Sequence, residues 1–343
     1  METIFVVDDC DVDLDMLKQT LEVSYRVFTL HSAEDMFELI ETVVPDLVLL
    51  DIRMPGMDGF TALEKLSADS RTATVPVVFM TSYGDPETEA RGFEAGIVDF
   101  INKPFSHAVL LRRIEAHLRV DELIKRRTAR LWRLKNGIVS VLADIVECRD
   151  ETAGGGGHID RTSRCIRTLI EAMRENNVYK DEMADWDIDT MVASARLHDI
   201  GKIAISDTIL NKPGRLTPQE FEIVKSHVKE GERIIDKIST KTGDEEFLQI
   251  ARLFVSYHHE RWDGKGYPYG LAETNIPLIG RIMAVIDVYD ALISLRPYKK
   301  PFAPEMAINI IMEESGKHFD PQIVNVFSLK RADFIAIAME KHS

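Results

Sequence analysis

The residues best suited to chemistry lie in the second half of the chain. His198-Asp199 stands inside HDIGK, His227 follows alone, His258-His259 opens HHERWDGKGYP, and Asp287 lies in DVYDAL. Neutral imidazoles and carboxylates are ligands for Zn, Mn, Fe or Ni. More than four such groups suggest more than one ion, and paired ions suit chemistry at phosphorus. Asp199 can bridge two ions. Ions roughly 3.5–4 Å apart would lower the pKa of a shared water and clamp an in-line displacement. Lys202 follows His198 by four residues on the near face. Asp287 and Asp290, three apart on an expected helix, share a face.

The loop Trp262-Asp263-Gly264-Lys265-Gly266-Tyr267-Pro268 adjoins the histidine pair, its glycines and proline shaping a tight turn. Trp262 and Tyr267 either pack that turn or stack on a base. Arg296 and Lys299 follow the Asp287 helix and either grip phosphates or form a solvated helix end.

A second set lies in the first half. Asp8 and Asp9 follow the first expected strand, Asp51 the third, Thr81 the fourth and Lys103-Pro104 the fifth. A parallel sheet collects its ligands at these carboxyl ends. Converging carboxylates need a cation, and Mg²⁺ suits oxygen ligands. Asp51 would then attack phosphorus to give an acyl phosphate. Lys103 would neutralise the phosphoryl oxygens and Thr81 would hydrogen-bond to one. Taken singly, each acid could be only a helix or loop cap.

The elements that must position these groups are legible as periodicities. Apolar runs at 4–7, 25–30, 46–50, 75–80 and 98–101 alternate with helical stretches near 11–23, 33–43, 58–68, 86–95 and from 106. This predicts an α/β doubly wound, five-stranded parallel sheet. The stretch 106–150 reads as one long helix or two abutting ones. Ile124, Leu131, Ile138 and Ile145 recur every seven residues, with Leu134 and Val141 between them. That stripe is either a connector's buried face or a dimer seam. Beyond it the pattern is all-α, with helices expected near 158–177, 187–200, 218–237, 246–259, 279–295 and 303–315. Thr217-Pro218-Gln219-Glu220 starts a helix with a capping box, which places His227 on that helix. Gly154–Gly157 reads as a flexible loop, since each glycine costs a helix roughly 1 kcal/mol relative to Ala.

Composition bounds the reading. The 343 residues suffice for two domains, 45% are hydrophobic, and the formal charge is −15. That charge argues against a nucleic-acid polymer as partner. Cys10, Cys148 and Cys165 form no CxxC pair, as expected of a reducing cytoplasm. Neither a signal peptide nor a membrane span is expected. His31, His107, His117, His318 and His342 read as surface or helix-end residues.

With VVDDC at 6–10, LLDIRMPGMDGF at 49–60, MTSY at 80–83 and KPF at 103–105, residues 1 to about 120 resemble the receiver domains of response regulators. The resemblance implies phosphorylation of Asp51 by a cognate histidine kinase, with Mg²⁺ on Asp8, Asp9 and Asp51. Phe100 is then the aromatic switch residue beside Thr81 and Lys103, or a plain core residue. HDIGK, HHERWDGKGYP, IPLIGRIMAVIDVYDAL, RPYK at 296–299 and GKHFDP at 316–321 resemble the HD-GYP family of metal-dependent phosphohydrolases over about 140–335. That family hydrolyses cyclic di-GMP to pGpG and often GMP.

The resemblance implies one metal on His158, His198, Asp199 and Asp287, and a second on Asp199, His227, His258 and His259. The ions could be Fe, Mn, Zn, Ni or Co. Lys202 would assist at the scissile phosphate, with Tyr267, Asp290, Arg296 and Lys299 as substrate contacts. Relatives with a third metal carry Glu four residues before the first histidine. Gly154 stands there, and Glu151 lies seven before His158, so two metals are expected. The expected organisation is a receiver at 1–120, a linker helix at 121–140 that could pair two copies, and a phosphohydrolase at 141–343. Partners implied are the kinase, cyclic di-GMP and GGDEF-type proteins. The alternative is a cyclic di-GMP receptor with weak or no turnover.

Overall fold

The computed structural model describes residues 1–82, 86–149, 158–243, 245–295 and 300–340. Two compact units divide it, Met1–Leu131 and Trp132–Ser343.

The first unit alternates strand and helix: β1 Thr3–Val7, α1 Asp11–Leu21, β2 Arg26–Leu30, α2 Ala33–Ile40, β3 Leu47–Asp51, α3 Gly59–Ala68, β4 Val77–Thr81, α4 Pro86–Ala95 and β5 Asp99–Asn102. All strand pairs are parallel, in the order β2-β1-β3-β4-β5. β1, β3 and β4 are buried throughout, because successive side chains enter opposite faces and both faces are covered. Phe5 and Val7 meet Met36 and Ile40 of α2 and Leu63 and Leu66 of α3. Ile4 and Val6 meet Leu14 and Leu17 of α1, together with Leu110 and Ile114. The order reverses between β1 and β3, the switch point where such sheets hold ligands.

Helix α5, His107–Arg149, is continuous and contains the boundary between the units. The second unit follows with α6 His158–Glu175, α7 Ile188–Ala195, a 3₁₀ helix Ile200–Ala204, α8 Asp207–Leu210, α9 Pro218–Lys225, α10 His227–Thr242, α11 Glu245–Tyr257, α12 Leu278–Ile293, α13 Pro304–Glu313, α14 Pro321–Leu329 and α15 Arg331–Met339. α12 is buried without interruption from Leu278 to Ile286, so it is the central helix, surrounded by α6, α7 and α13–α15. A second core joins Val139 and Val146 of α5 to α7, α10 and α11. No described helix is long and apolar enough to cross a membrane.

Three helices differ from their expected limits, each at a site residue. The helix expected over 187–200 stops at Ala195, so His198 and Asp199 occupy the turn before the 3₁₀ helix. Neighbours in an α-helix diverge by about 100° and cannot both face one point; the turn removes that limit. The helix expected over 218–237 breaks at Ser226, which makes His227 the first residue of α10. The one expected over 246–259 ends at Tyr257, leaving His258 and His259 in the following turn. The capping box at Thr217 and Glu220 is present.

Candidate metal centre and phospho-acceptor pocket

The turn after α7, the start of α10 and the turn after α11 bring four groups together. Ligand atoms of Asp199, His227, His258 and His259 all lie within 4.8 Å of one another. Those of His158, His198 and Asp287 form a second group at the same spacing. Asp199 touches both, its Oδ2 lying 3.4 Å from His198 Nε2 and its Oδ1 3.4 Å from His227 Nε2. Lys202 Nζ stands 2.7 Å from Oδ2.

The backbone fixes the tautomers. His198 Nδ1 lies 2.9 Å from the Ala195 carbonyl, His227 Nδ1 2.6 Å from that of Val224, and His258 Nδ1 2.9 Å from that of Phe254. A carbonyl only accepts, so each Nδ1 carries the proton and each Nε2 turns a lone pair inward. His227 and His258 therefore oppose two lone pairs 3.4 Å apart. His198 Nε2 and Asp199 Oδ1 are buried with no hydrogen-bond partner among the described residues. Buried acceptors left in this way are costly, and divalent cations would satisfy them. Burial pushes His227 down to about 4 and His259 well below its usual range, so both rings are neutral. Burial alone would raise Asp199, but Lys202 and His198 outweigh it and hold the carboxylate well below its usual range.

Two close approaches hold this geometry. A Cβ on Gly201 would lie 1.8 Å from the His227 carbonyl oxygen, so only glycine lets HDIGK abut α10. A Cβ on Gly266 would meet Arg261 N at 2.4 Å, so the loop closes directly on the backbone after the histidine pair. Glu260, 1% exposed, anchors that loop by accepting the N–H groups of Tyr269, Gly270 and Leu271 at 2.7, 3.2 and 3.0 Å. Tyr267 stacks on His259, with ring centroids 4.6 Å apart. Burial raises its phenol well above the usual range, so it remains a hydrogen-bond donor.

Asp290 does not fit the substrate-contact role expected of it. It is 2% exposed, accepts from His158 Nδ1 and Arg161 Nε, and takes the Ser294 hydroxyl at 3.1 Å. Three residues along α12 turn it about 60° from Asp287, enough to place it behind His158. There it aims His158 Nε2 as carbonyls aim those of His198, His227 and His258. Burial would lower His158, but its hydrogen bond to Asp290 outweighs it and raises the ring. His318 also departs from its expected surface place. It stacks on Phe319 at 4.2 Å, and burial and Arg261 push it down to about 4. Glu151, Arg296, Lys299 and the Gly154–Gly157 segment lie outside the described residues.

In the first unit, Lys103 Nζ lies 2.5 Å from Asp8 Oδ2, 2.9 Å from Asp51 Oδ1 and 2.8 Å from Asp13 Oδ2. Burial would lower Lys103, yet the hydrogen bonds to Asp13, Asp8 and Asp51 hold it above the usual lysine range. Burial raises Asp8, and Lys103 only partly offsets it. Three carboxylates against one ammonium leave an excess of negative charge that a divalent cation would balance. Asp9 is exposed beside this cluster, and Thr81 is buried at the end of β4. Phe100 is 7% exposed and meets Phe79 edge to face within the core. Asp13 was not legible as a partner, because its contact with Lys103 joins opposite ends of the fold.

The fold and the two sites define a phospho-acceptor receiver joined to an HD-type helical domain. Comparison with known families agrees: residues 4–115 match the response regulator receiver domain and residues 140–323 the HD domain. The chain belongs to the HD-domain family and carries a response regulator receiver domain ahead of that domain.

It is 36% identical to a probable cyclic di-GMP phosphodiesterase of Vibrio cholerae, over 98% of this chain and 80% of that protein. It is 35% identical to a cyclic di-GMP phosphodiesterase of Thermotoga maritima, over 95% and 89%. It is 34% identical to the cyclic di-GMP phosphodiesterase response regulator RpfG of Xanthomonas campestris, over 96% and 88%.

Proposed function

We propose that this chain is a response regulator whose helical domain hydrolyses cyclic di-GMP under the control of phosphorylation at Asp51. The observation that carries the hydrolytic reading is the pair of opposed lone pairs on His227 and His258 beside the unpartnered Asp199 Oδ1. Full-length relatives named for this activity support the substrate.

His158, His198, Asp199 and Asp287 would hold one divalent ion, and Asp199, His227, His258 and His259 a second. Bound ions of this kind activate water and stabilise charge on a phosphodiester. The protein's own groups do the rest. Backbone carbonyls aim His198, His227 and His258, and Asp290 aims His158. Lys202, resting on Asp199, offers an ammonium to the phosphate oxygens. Tyr267 offers a neutral hydroxyl, and its stacking steadies His259. Water adds across one P–O bond, the leaving oxygen takes a proton, and the ring opens.

In the receiver, Asp51 would take a phosphoryl group from a histidine kinase, with Mg²⁺ on Asp8, Asp9 and Asp51. Lys103 would move from three carboxylates to the phosphoryl oxygens, and Thr81 would bond one of them. Helix α5 would carry the change onward.

The test is turnover of cyclic di-GMP by the purified full chain, with bound metal counted in the same sample and 3′,3′-cyclic GMP-AMP as comparator. Ring opening that needs the metals and favours cyclic di-GMP is expected. A metallated protein that binds cyclic di-GMP without cleaving it would make the chain a receptor.

A further inference from the structure

A cavity of about 270 Å³ lies against the second half of α5, apart from the metal centre. Trp132, Asn136 and Val139 line it from one face of α5, Arg167 from α6, Asp189 from α7 and Arg196 from the end of α7. These residues belong to the second unit. No metal-centre ligand lines the cavity, and Arg196 is the residue it shares with the cleft of His158 and His198. Asp189 takes an N–H of Arg167 on Oδ1, which leaves Oδ2 to accept. Arg196 donates through Nε to Ser163 Oγ at 3.2 Å and reaches Asp160 only at 3.5 Å, so most of its five donors remain for a ligand. Asn136 Oδ1 is buried with no hydrogen-bond partner among the described residues, a costly state that a ligand N–H would relieve. Trp132 is 41% exposed and offers a π-face. Arg167 and Arg196 are met by Asp160, Asp189 and, at 3.8 Å, Glu171. The cavity therefore has no surplus of positive charge and does not suit a bare phosphate.

We propose that this cavity binds the guanine base of a nucleotide. Its ligand has to stack, donate and accept at once. Guanine carries adjacent donors, N1–H and the 2-amino group, which suit the Asp189 carboxylate and the Asn136 oxygen. Its O6 and N7 are adjacent acceptors, which suit a guanidinium fork. No other common base combines two adjacent N–H donor groups with two adjacent acceptors. Trp132 supplies the stacking face, as aromatic side chains do for bases elsewhere. The volume falls just below the usual range for whole ligands, so it suits one base with sugar and phosphate outside.

The test uses guanosine, which has no phosphate for bound metals to grip and no phosphodiester to cleave. Its outcome is therefore independent of whether the chain hydrolyses cyclic di-GMP. Calorimetric titration of the full chain should show saturable guanosine binding. Inosine, which lacks only the 2-amino group, and adenosine should bind about tenfold more weakly or worse. Trp132→Ala should weaken guanosine about tenfold or more. Asp189→Asn should erase the preference for guanosine over inosine, an effect that a merely structural Asp189 would not produce. The source of the base is read by displacing guanosine from the Asp199→Ala chain, which should leave the dinucleotide intact. Displacement by GMP but not by cyclic di-GMP marks a mononucleotide site, and displacement by both marks a site for the base however it is carried. Displacement by neither would overturn the proposal. So would guanosine that fails to bind, binds no better than inosine, or binds Trp132→Ala as well as the native chain.

Discussion

The two sites meet the same electrostatic problem and solve it differently. In the first unit the acidic groups already have a cation, Lys103, within 2.9 Å of three carboxylates. In the second, imidazole lone pairs face one another, and His198 Nε2 and Asp199 Oδ1 have no hydrogen-bond partner among the described residues. The receiver pocket carries part of its own counter-charge, one ammonium against three carboxylates. The helical centre gathers acceptors that divalent cations would satisfy. One site is partly balanced by a side chain of its own, and the other gathers acceptors with no comparable ammonium among the described histidines.

The sharpest way to break that contrast is Asp199→Ala, which removes the one group touching both ligand clusters. Turnover of cyclic di-GMP should fall about a thousand-fold or more, with metal content falling alongside. Full metal content in the variant would show that Asp199 is not shared. Next is Asp290→Asn, which weakens the hold on His158 without touching the cleft. Metal affinity, read by titration against a chelator, should drop roughly 10–100-fold. An unchanged affinity would leave Asp290 a purely structural residue.

Glu260→Gln tests whether the loop under the histidine pair depends on a charge. It should cost about 1–3 kcal/mol in denaturant unfolding, since three backbone donors lose a charged acceptor. The smallest effect concerns pH. His227 and His318 stay neutral down to about 4 in the fold, whereas unfolded histidine titrates near 6.5. The unfolded chain binds more protons in between, so metal-free protein should lose stability as pH falls from about 6.5 to 4. The receiver pocket, charged throughout that window by Lys103, should not add to the loss. Melting temperatures across the range, with His318→Gln as the comparison, would read this.

Much of this arrangement was legible in the sequence. Buried runs such as DLVLL give a strand, and the family motifs name ligands that the folded chain gathers into two groups. What escaped depends on pairings distant in sequence. Asp290 was assigned by helical spacing to the face of Asp287, but its partners His158 and Arg161 lie 132 and 129 residues away. The breaks at Ala195 and Ser226 escaped because apolar periodicity runs on through both.

The last turn of α5 has a mechanical consequence. Glu147 accepts the His158 N–H at 3.1 Å, at the head of α6. Arg149 donates to the carbonyls of Ile203 and Ile205 at 2.8 and 3.1 Å and to Asp207 at 2.8 Å, just past Lys202. Both walls of the metal centre thus hang from one turn, on mounts about 200° apart around the axis. Sliding the helix along its axis carries both walls the same way and preserves the gap between them. Twisting it drives them in opposite senses.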